Sequence, residues 1–192
     1  VSNLFPTSNL TNTNNSQQIV DRQETKQFLK FAIYPSTKLM LPIKQITEVL
    51  KIQFGQIVPI PQMPAWVMGV YNWRGDILWM VDLGHLIGLD PWYQRENHRN
   101  HQTAIVLSPN QAKAQAQSNR EVGTSLGLIV SHVEDLKMCE PSTIQSPPNN
   151  SVNGQIISFA QGYWLEIEDD DMTLVLDGKA IVAAMPKNLS SQ

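Results

Sequence analysis

A chain of 192 residues with a formal net charge of −3, 42% hydrophobic and 16% charged, has ample apolar material for one domain or two fused lobes. Its 14 basic residues are scattered rather than gathered on a phosphate-neutralising face, which sets nucleic-acid binding aside. No apolar run approaches the ~20 residues that cross a bilayer, Val1 to Gln18 lacks a secretory pattern, and one cysteine, Cys139, fits a reducing cytoplasm.

Residues 1–25 are rich in Asn, Ser, Thr and Gln and bury too little to offset the entropy of ordering, so a disordered tail is expected there. Order begins at Phe28. Leu29, Phe31 and Ile33 alternate onto one face, the period of a strand; Pro35, Ser36 and Thr37 turn the chain, and Leu39 to Leu41 return as a second strand. In IKQITEVLKI the β-branched positions predict one helical turn leading into a strand. Pro59, Pro61 and Pro64 then rule out a regular ladder.

Val70–Trp73 and Ile77–Val81 flank Arg74-Gly75-Asp76 as a hairpin. Asp82 is placed to cap a short helix whose apolar face is Leu83, Leu86 and Ile87, ended by Gly88. A polar Ala/Gln-rich stretch at about 108–122 reads as a mobile loop between strands at Thr103–Leu107 and Ser125–Val130.

The second half repeats the plan. Leu41, Ile43, Ile46, Glu48, Val49, Ile57 and Pro61 recur as Leu128, Val130, Val133, Asp135, Leu136, Ile144 and Pro148 at one constant offset. Met80-Val81-Asp82 returns as Val175-Leu176-Asp177, before a helix over Lys179 to Met185 stopped by Pro186. Residues 26–192 are therefore expected to form a single mainly β domain of two related lobes, each ending in an Asp-capped helix.

Catalysis needs a base, nucleophile or metal held within reach. His98 and His101 have metal-compatible spacing but lie in a polar stretch with no third ligand nearby, so the solvated reading is preferred. His85 is expected to be exposed, and Cys139 buried and inert. The acidic run Glu166, Glu168, Asp169, Asp170 and Asp171 falls at a hairpin tip, where charges keep a turn in water; it lacks the spacing of a calcium loop. No catalytic residue, metal or cofactor is assigned. Arg74, beside Trp73 in the turn, either serves the fold by covering a ring or bonding carbonyls, or presents its fork to a partner. The sequence leaves both open.

QFLKFAIYPSTKLMLPIKQITEVLKI, followed by IPQMPAWVMGVYNWRGDILWMVDLGHLIGL, resembles the CheW family, adaptors that couple bacterial chemoreceptors to a histidine kinase. GVYNWRG is similar to the family's Gly-Val-x-Asn-Leu-Arg-Gly, and the following VDL agrees. SLGLIVSHVEDLKM and VNGQIISFAQGYWLEIEDDDMTLVLDGKAI resemble its second half, so the likeness spans roughly Gln27 to Met185. It implies two SH3-like five-stranded β-barrel lobes with short capping helices, no enzymatic activity, and two partners: a CheA-type kinase regulatory domain and a chemoreceptor's cytoplasmic tip. Ile46, Glu48, Asn72, Arg74, Gly75 and Val133 are implied as partner-binding residues, with Gly69 sustaining the hairpin. The implied location is cytoplasmic, at membrane receptor arrays but not inserted.

Trp73 stands where the family has Leu, with Trp66 and Trp79 nearby; at the surface these would anchor a partner, although Trp79 is assigned to the core. The long tail and expanded loop point to a divergent array, such as one for pilus motility or light responses. The competing readings are a small metal protein or enzyme using His98, His101 and the acidic hairpin, and a kinase-binding scaffold without a receptor.

Overall fold

The computed structural model describes residues 24–94, 101–107, 124–146, 154–166 and 171–186. Most of the N-terminal tail, His98 and the 108–122 loop lie outside them, as do residues 167–170 of the acidic run.

The run FLKFAI is buried on both faces, more than one-face alternation predicts. It forms the core of β1 (Lys26–Ile33), which turns through Tyr34–Ser36 into β2 (Thr37–Pro42). One 3-10 turn, Ile43–Gln45, leads into β3 (Ile46–Gln53), the turn-then-strand reading of IKQITEVLKI. The proline passage carries only an isolated bridge at Val58 before the hairpin of β4 (Val67–Trp73) and β5 (Asp76–Asp82). Helix α1 (Leu83–Leu86) follows, and Leu83, Leu86 and Ile87 are all buried.

The second half gives β6 (His101–Leu107), β7 (Leu126–Val130), β8 (His132–Cys139), α2 (Gly154–Ile157), β9 (Ala160–Glu166), β10 (Asp171–Leu176) and α3 (Gly178–Ala183). These strands form two five-stranded sheets, ordered β8-β1-β2-β10-β9 and β3-β6-β7-β5-β4. Replacing β1–β5 by β6–β10 and the reverse turns one order into the other. The two sequence repeats are therefore related by a pseudo-two-fold, and each lends its first two strands to the other's sheet. The lobes are not contiguous halves of the chain.

The correspondence extends to irregularities. The register shift between Ile46 and Glu48 against β6 has its equivalent between Lys30 and Phe31 against β8. In each sheet the segment following one edge strand meets the other edge strand in an isolated bridge rather than a closing ladder: Val58 with Val70 and Gln145 with Tyr163, each pair exchanging two backbone hydrogen bonds of 2.8–2.9 Å. Gly69 and Gly162 sit beside these bridges. A Cβ at Gly69, whose φ is +140°, would lie 2.2 Å from the Val58 carbonyl oxygen; at Gly162 it would lie 2.3 Å from that of Gln145. The result is two SH3-like lobes, here named for their edge strands the β4 lobe and the β9 lobe.

The principal core lies between the sheets. Leu29, Phe31, Leu39 and Leu41 of one meet Val81, Ile105, Leu128 and Val130 of the other, with Leu83, Ile87 and Ile181 from the helices. Each fully buried aliphatic or aromatic side chain here contributes ~2 kcal/mol. Each lobe also has its own small interior: Ile52, Leu78, Met80 and Val106 in the β4 lobe, and Phe28, Met40, Cys139 and Val175 in the β9 lobe.

Two expectations need correction. Glu166 is not a solvated tip residue: it is 7% exposed, drawn inside by Lys30 and Lys137, which supply the charge that lets a carboxylate leave water. His85 is half-buried rather than exposed, and its Nδ1 has no partner among the described residues.

Candidate functional site

The β4–β5 hairpin closes with only Arg74 and Gly75 between paired residues Trp73 and Asp76. Both turn residues have positive φ, 56° and 89°, as the tight type I′ hairpin turn requires. Glycine adopts this at no cost, whereas an arginine there is strained by ~1 kcal/mol. Local bonds hold the turn. Asn72 Oδ1 accepts from the Gly75 backbone N–H at 3.0 Å, and Arg74 Nη2 donates to Glu48 Oε2 at 2.6 Å. Trp73 Nε1 donates to the other oxygen of the same carboxylate. The Arg74 guanidinium also lies 5.6 Å from the Trp73 ring centre, within cation–π range.

Glu48 thus ties edge strand β3 to edge strand β4. Four implied partner residues, Glu48, Asn72, Arg74 and Gly75, come together at this end of the β4 lobe. Arg74 serves the turn by bonding Glu48 and lying over the Trp73 ring, and its side chain is 70% exposed. Beside it Ile77, paired with Asn72, is 66% exposed. The sequence reading missed Ile77; its signal was a β-branched residue one step beyond a tight turn.

Ile46 and Val133 are placed elsewhere. They are equivalent under the pseudo-two-fold and both meet the core between the sheets, Ile46 buried at 8% exposure and Val133 half-buried. The five tryptophans are all half-buried, Trp66 and Trp79 against the central core and Trp73 against the interior of the β4 lobe.

Asp82 accepts from the backbone N–H of His85 at 3.4 Å and of Trp92 at 2.7 Å, and so seats Trp92 as well as α1. Trp92 stacks on Phe54 with ring centres 4.3 Å apart. This stack lines an open cleft of about 490 Å³ at the far end of β3, along with Lys51, His101 and His132. Cys139 is buried, and desolvation, with the nearby Glu166 charge second, pushes its thiol up to about 11; a thiol so placed is a poor nucleophile at neutral pH. His101 bonds Gln53 at 3.0 Å, and among the described residues no group of three or more His, Cys, Asp or Glu is arranged to hold a metal. No helix among those residues is long and apolar enough to cross a membrane.

A hairpin led by Gly69 and turned by Arg74-Gly75, set in one of two related five-stranded lobes, is the architecture the motifs implied; the exchange of strands between the lobes is what they did not. The sequence model of the CheW-like domain matches residues 27–185. This chain belongs to the CheW-like domain family. The matched span takes in every described strand except the first residue of β1, and so covers both exchanged sheets. The solved structure of the scaffolding protein TtCheW from Thermoanaerobacter tengcongensis is similar, with a TM-score of 0.61 and 22% identity, covering 80% of this chain and 90% of that one. At that identity the likeness speaks for the CheW-like fold. No curated protein sequence matches this chain.

Proposed function

We propose that this chain is a non-catalytic coupling adaptor of a chemotaxis-type signalling array, joining the cytoplasmic tip of a chemoreceptor to the regulatory domain of a CheA-type histidine kinase. Family membership supports the adaptor role, and a scaffolding protein shares the fold. The observation that carries the reading is Arg74. An arginine in the left-handed region is strained, and one nitrogen bonded to Glu48 already secures the turn, yet most of the side chain faces solvent. A planar, permanently charged fork beside exposed Ile77 is a surface for a partner carrying carboxylates or free carbonyls around an apolar contact. Glu48 anchors this face, while Ile46 and Val133, in the core between the sheets, lie apart from it. The site of action is the cytoplasmic face of membrane receptor arrays, where singly weak contacts gain strength by multivalency.

The test is Arg74→Glu, compared with Arg74→Ala, in co-sedimentation with receptor fragments and kinase. Both variants should melt within a few degrees of wild type, because an exposed ion pair contributes at most about 1 kcal/mol. Recruitment of kinase should fall by roughly tenfold or more for Arg74→Glu, the loss of a charged contact plus added repulsion. Unfolding of Arg74→Ala would make Arg74 a structural residue, and unchanged recruitment by both variants would remove the hairpin from the docking face.

A further inference from the structure

The two carboxylate oxygens of Glu48 are taken by different residues of the hairpin. Oε1 accepts the indole N–H of Trp73, and Oε2 accepts Arg74 Nη2 at 2.6 Å. An arginine and a carboxylate commonly pair side by side, two N–H groups on two oxygens. Here the indole holds Oε1, and the pair closes through one nitrogen. Arg74 Nε, Nη1 and the second N–H of Nη2 have no partner among the described residues. The Arg74 side chain is 70% exposed, whereas that of Glu48 is 22% exposed. The Trp73 ring also lies 5.6 Å from the guanidinium and packs against the interior of the β4 lobe. One side chain thus fixes the carboxylate, supports the cation and is itself held from the lobe interior.

The β9 lobe does not repeat this arrangement. Under the pseudo-two-fold Glu48 answers to Asp135, and Trp73 to Glu166, an acid in place of the indole. The Asp135 side chain is 67% exposed, with Lys137 3.9 Å away, and Glu166 is turned inward to Lys30 and Lys137. Among the described residues the arginine and its shared carboxylate therefore mark the β4 lobe alone. We infer that Trp73 is the positioning residue of the Arg74 face: its indole N–H keeps Glu48 Oε1 from Arg74, so the guanidinium stands out from β3 toward a carboxylate of the partner. Without that N–H, Glu48 closes on Arg74 with both oxygens and draws the cation back against β3. The inference rests on the coupling reading above and narrows its chemistry to a carboxylate, whose two oxygens match the planar donors of a guanidinium where a single carbonyl does not. Exposed Ile77 places an apolar contact beside it, so the partner segment carries an acidic residue next to an apolar one.

The experiment makes Trp73→Phe in the full chain, alone and combined with Arg74→Ala, and measures co-sedimentation with receptor fragments and kinase. Phenylalanine keeps a ring under the guanidinium and removes only the N–H. Trp73→Phe should lower kinase recruitment roughly fivefold. In the Arg74→Ala background it should change nothing further, the non-additivity of residues that act through one contact. A crystal structure of Trp73→Phe supplies a readout independent of recruitment, and Glu48 should there bond Arg74 through both oxygens. Full recruitment by Trp73→Phe while Arg74→Ala loses it, an equal loss in both backgrounds, or an unaltered single-nitrogen pair in the crystal would each overturn the role of Trp73 and leave the coupling reading standing. Unchanged recruitment by Arg74→Ala and Arg74→Glu alike would remove that reading at this face, and the inference with it. Should Trp73→Phe not fold, Trp73→Leu, which also lacks the N–H, is read by the same three outcomes.

Discussion

Glu166 sits between two lysines inside the β9 lobe, and they set its proton affinity. The hydrogen bond from Lys137, then that from Lys30, holds its carboxyl below the ordinary 4.5 despite burial. Lys137 is raised above 10.5, chiefly by its hydrogen bond to the same carboxylate. A depressed carboxyl contributes stability above its unfolded value, and that contribution is lost as pH falls through the lower folded value. The raised lysine contributes below 10.5 and loses its share as pH rises through its folded value. Glu166→Gln, which strands Lys30 without its buried counter-charge, should cost on the order of 3 kcal/mol at neutral pH. Urea titrations from pH 7 to 3 should show the gap to wild type closing below 4.5; a gap constant across that range would mean that the charge of Glu166 is not what stabilises the lobe. Gly69 poses the opposite problem, of space. Gly69→Ala would drive a methyl into the Val58 carbonyl at a left-handed φ, costing about 2–4 kcal/mol, whereas Gly55→Ala, with nothing within 4 Å, should be near neutral in the same titration. Equal effects at the two sites would contradict the close approach.

The short helices show how one capping signal acquires different weight from its surroundings. Asp82 and Asp177 each follow the last strand of a repeat and accept a helix N–H. Each also has its own backbone N–H bonded to an equivalent carbonyl, Trp66 or Phe159. Asp82, however, is fully buried and also holds the Trp92 backbone that places the Phe54 stack. Asp82→Ala should therefore lose about 2–3 kcal/mol, leaving a buried N–H unpaired, while Asp177→Ala loses about 1 kcal/mol as an ordinary cap. Thermal melts of the two variants check the ranking, and equal losses would contradict it. Elements of this kind were legible in the sequence because their determinants are local: Arg74-Gly75 for the turn, an aspartate before an apolar face for each helix, prolines where the ladder stops. The inner face of β1 was less legible. Leu29, Phe31 and Ile33 mark one face, but Phe28 faces a second core, and Lys30 on that face reads as an outward residue until Glu166 is placed beside it.

At the scale of the molecule, the duplication was legible and the exchange was not. A constant offset between repeats shows that two copies exist; it is the same whether β1 pairs with β3 or with β8, because equivalent strands carry the same register. The Glu48–Arg74 hairpin cluster was legible only in part for a related reason. GVYNWRG marks Asn72, Arg74 and Gly75 within one hairpin, but nothing local tells that the Glu48 carboxylate closes on Trp73 and Arg74 across two sheet edges. Membership of the CheW-like family and the exposed Arg74 face support the proposal that this chain joins two partners. Sedimentation velocity of the purified chain with a receptor cytoplasmic fragment and a CheA-type regulatory domain tests that most directly. The expected result is a three-component species that disappears when this chain is omitted. A chain sedimenting alone in the presence of both partners would contradict it.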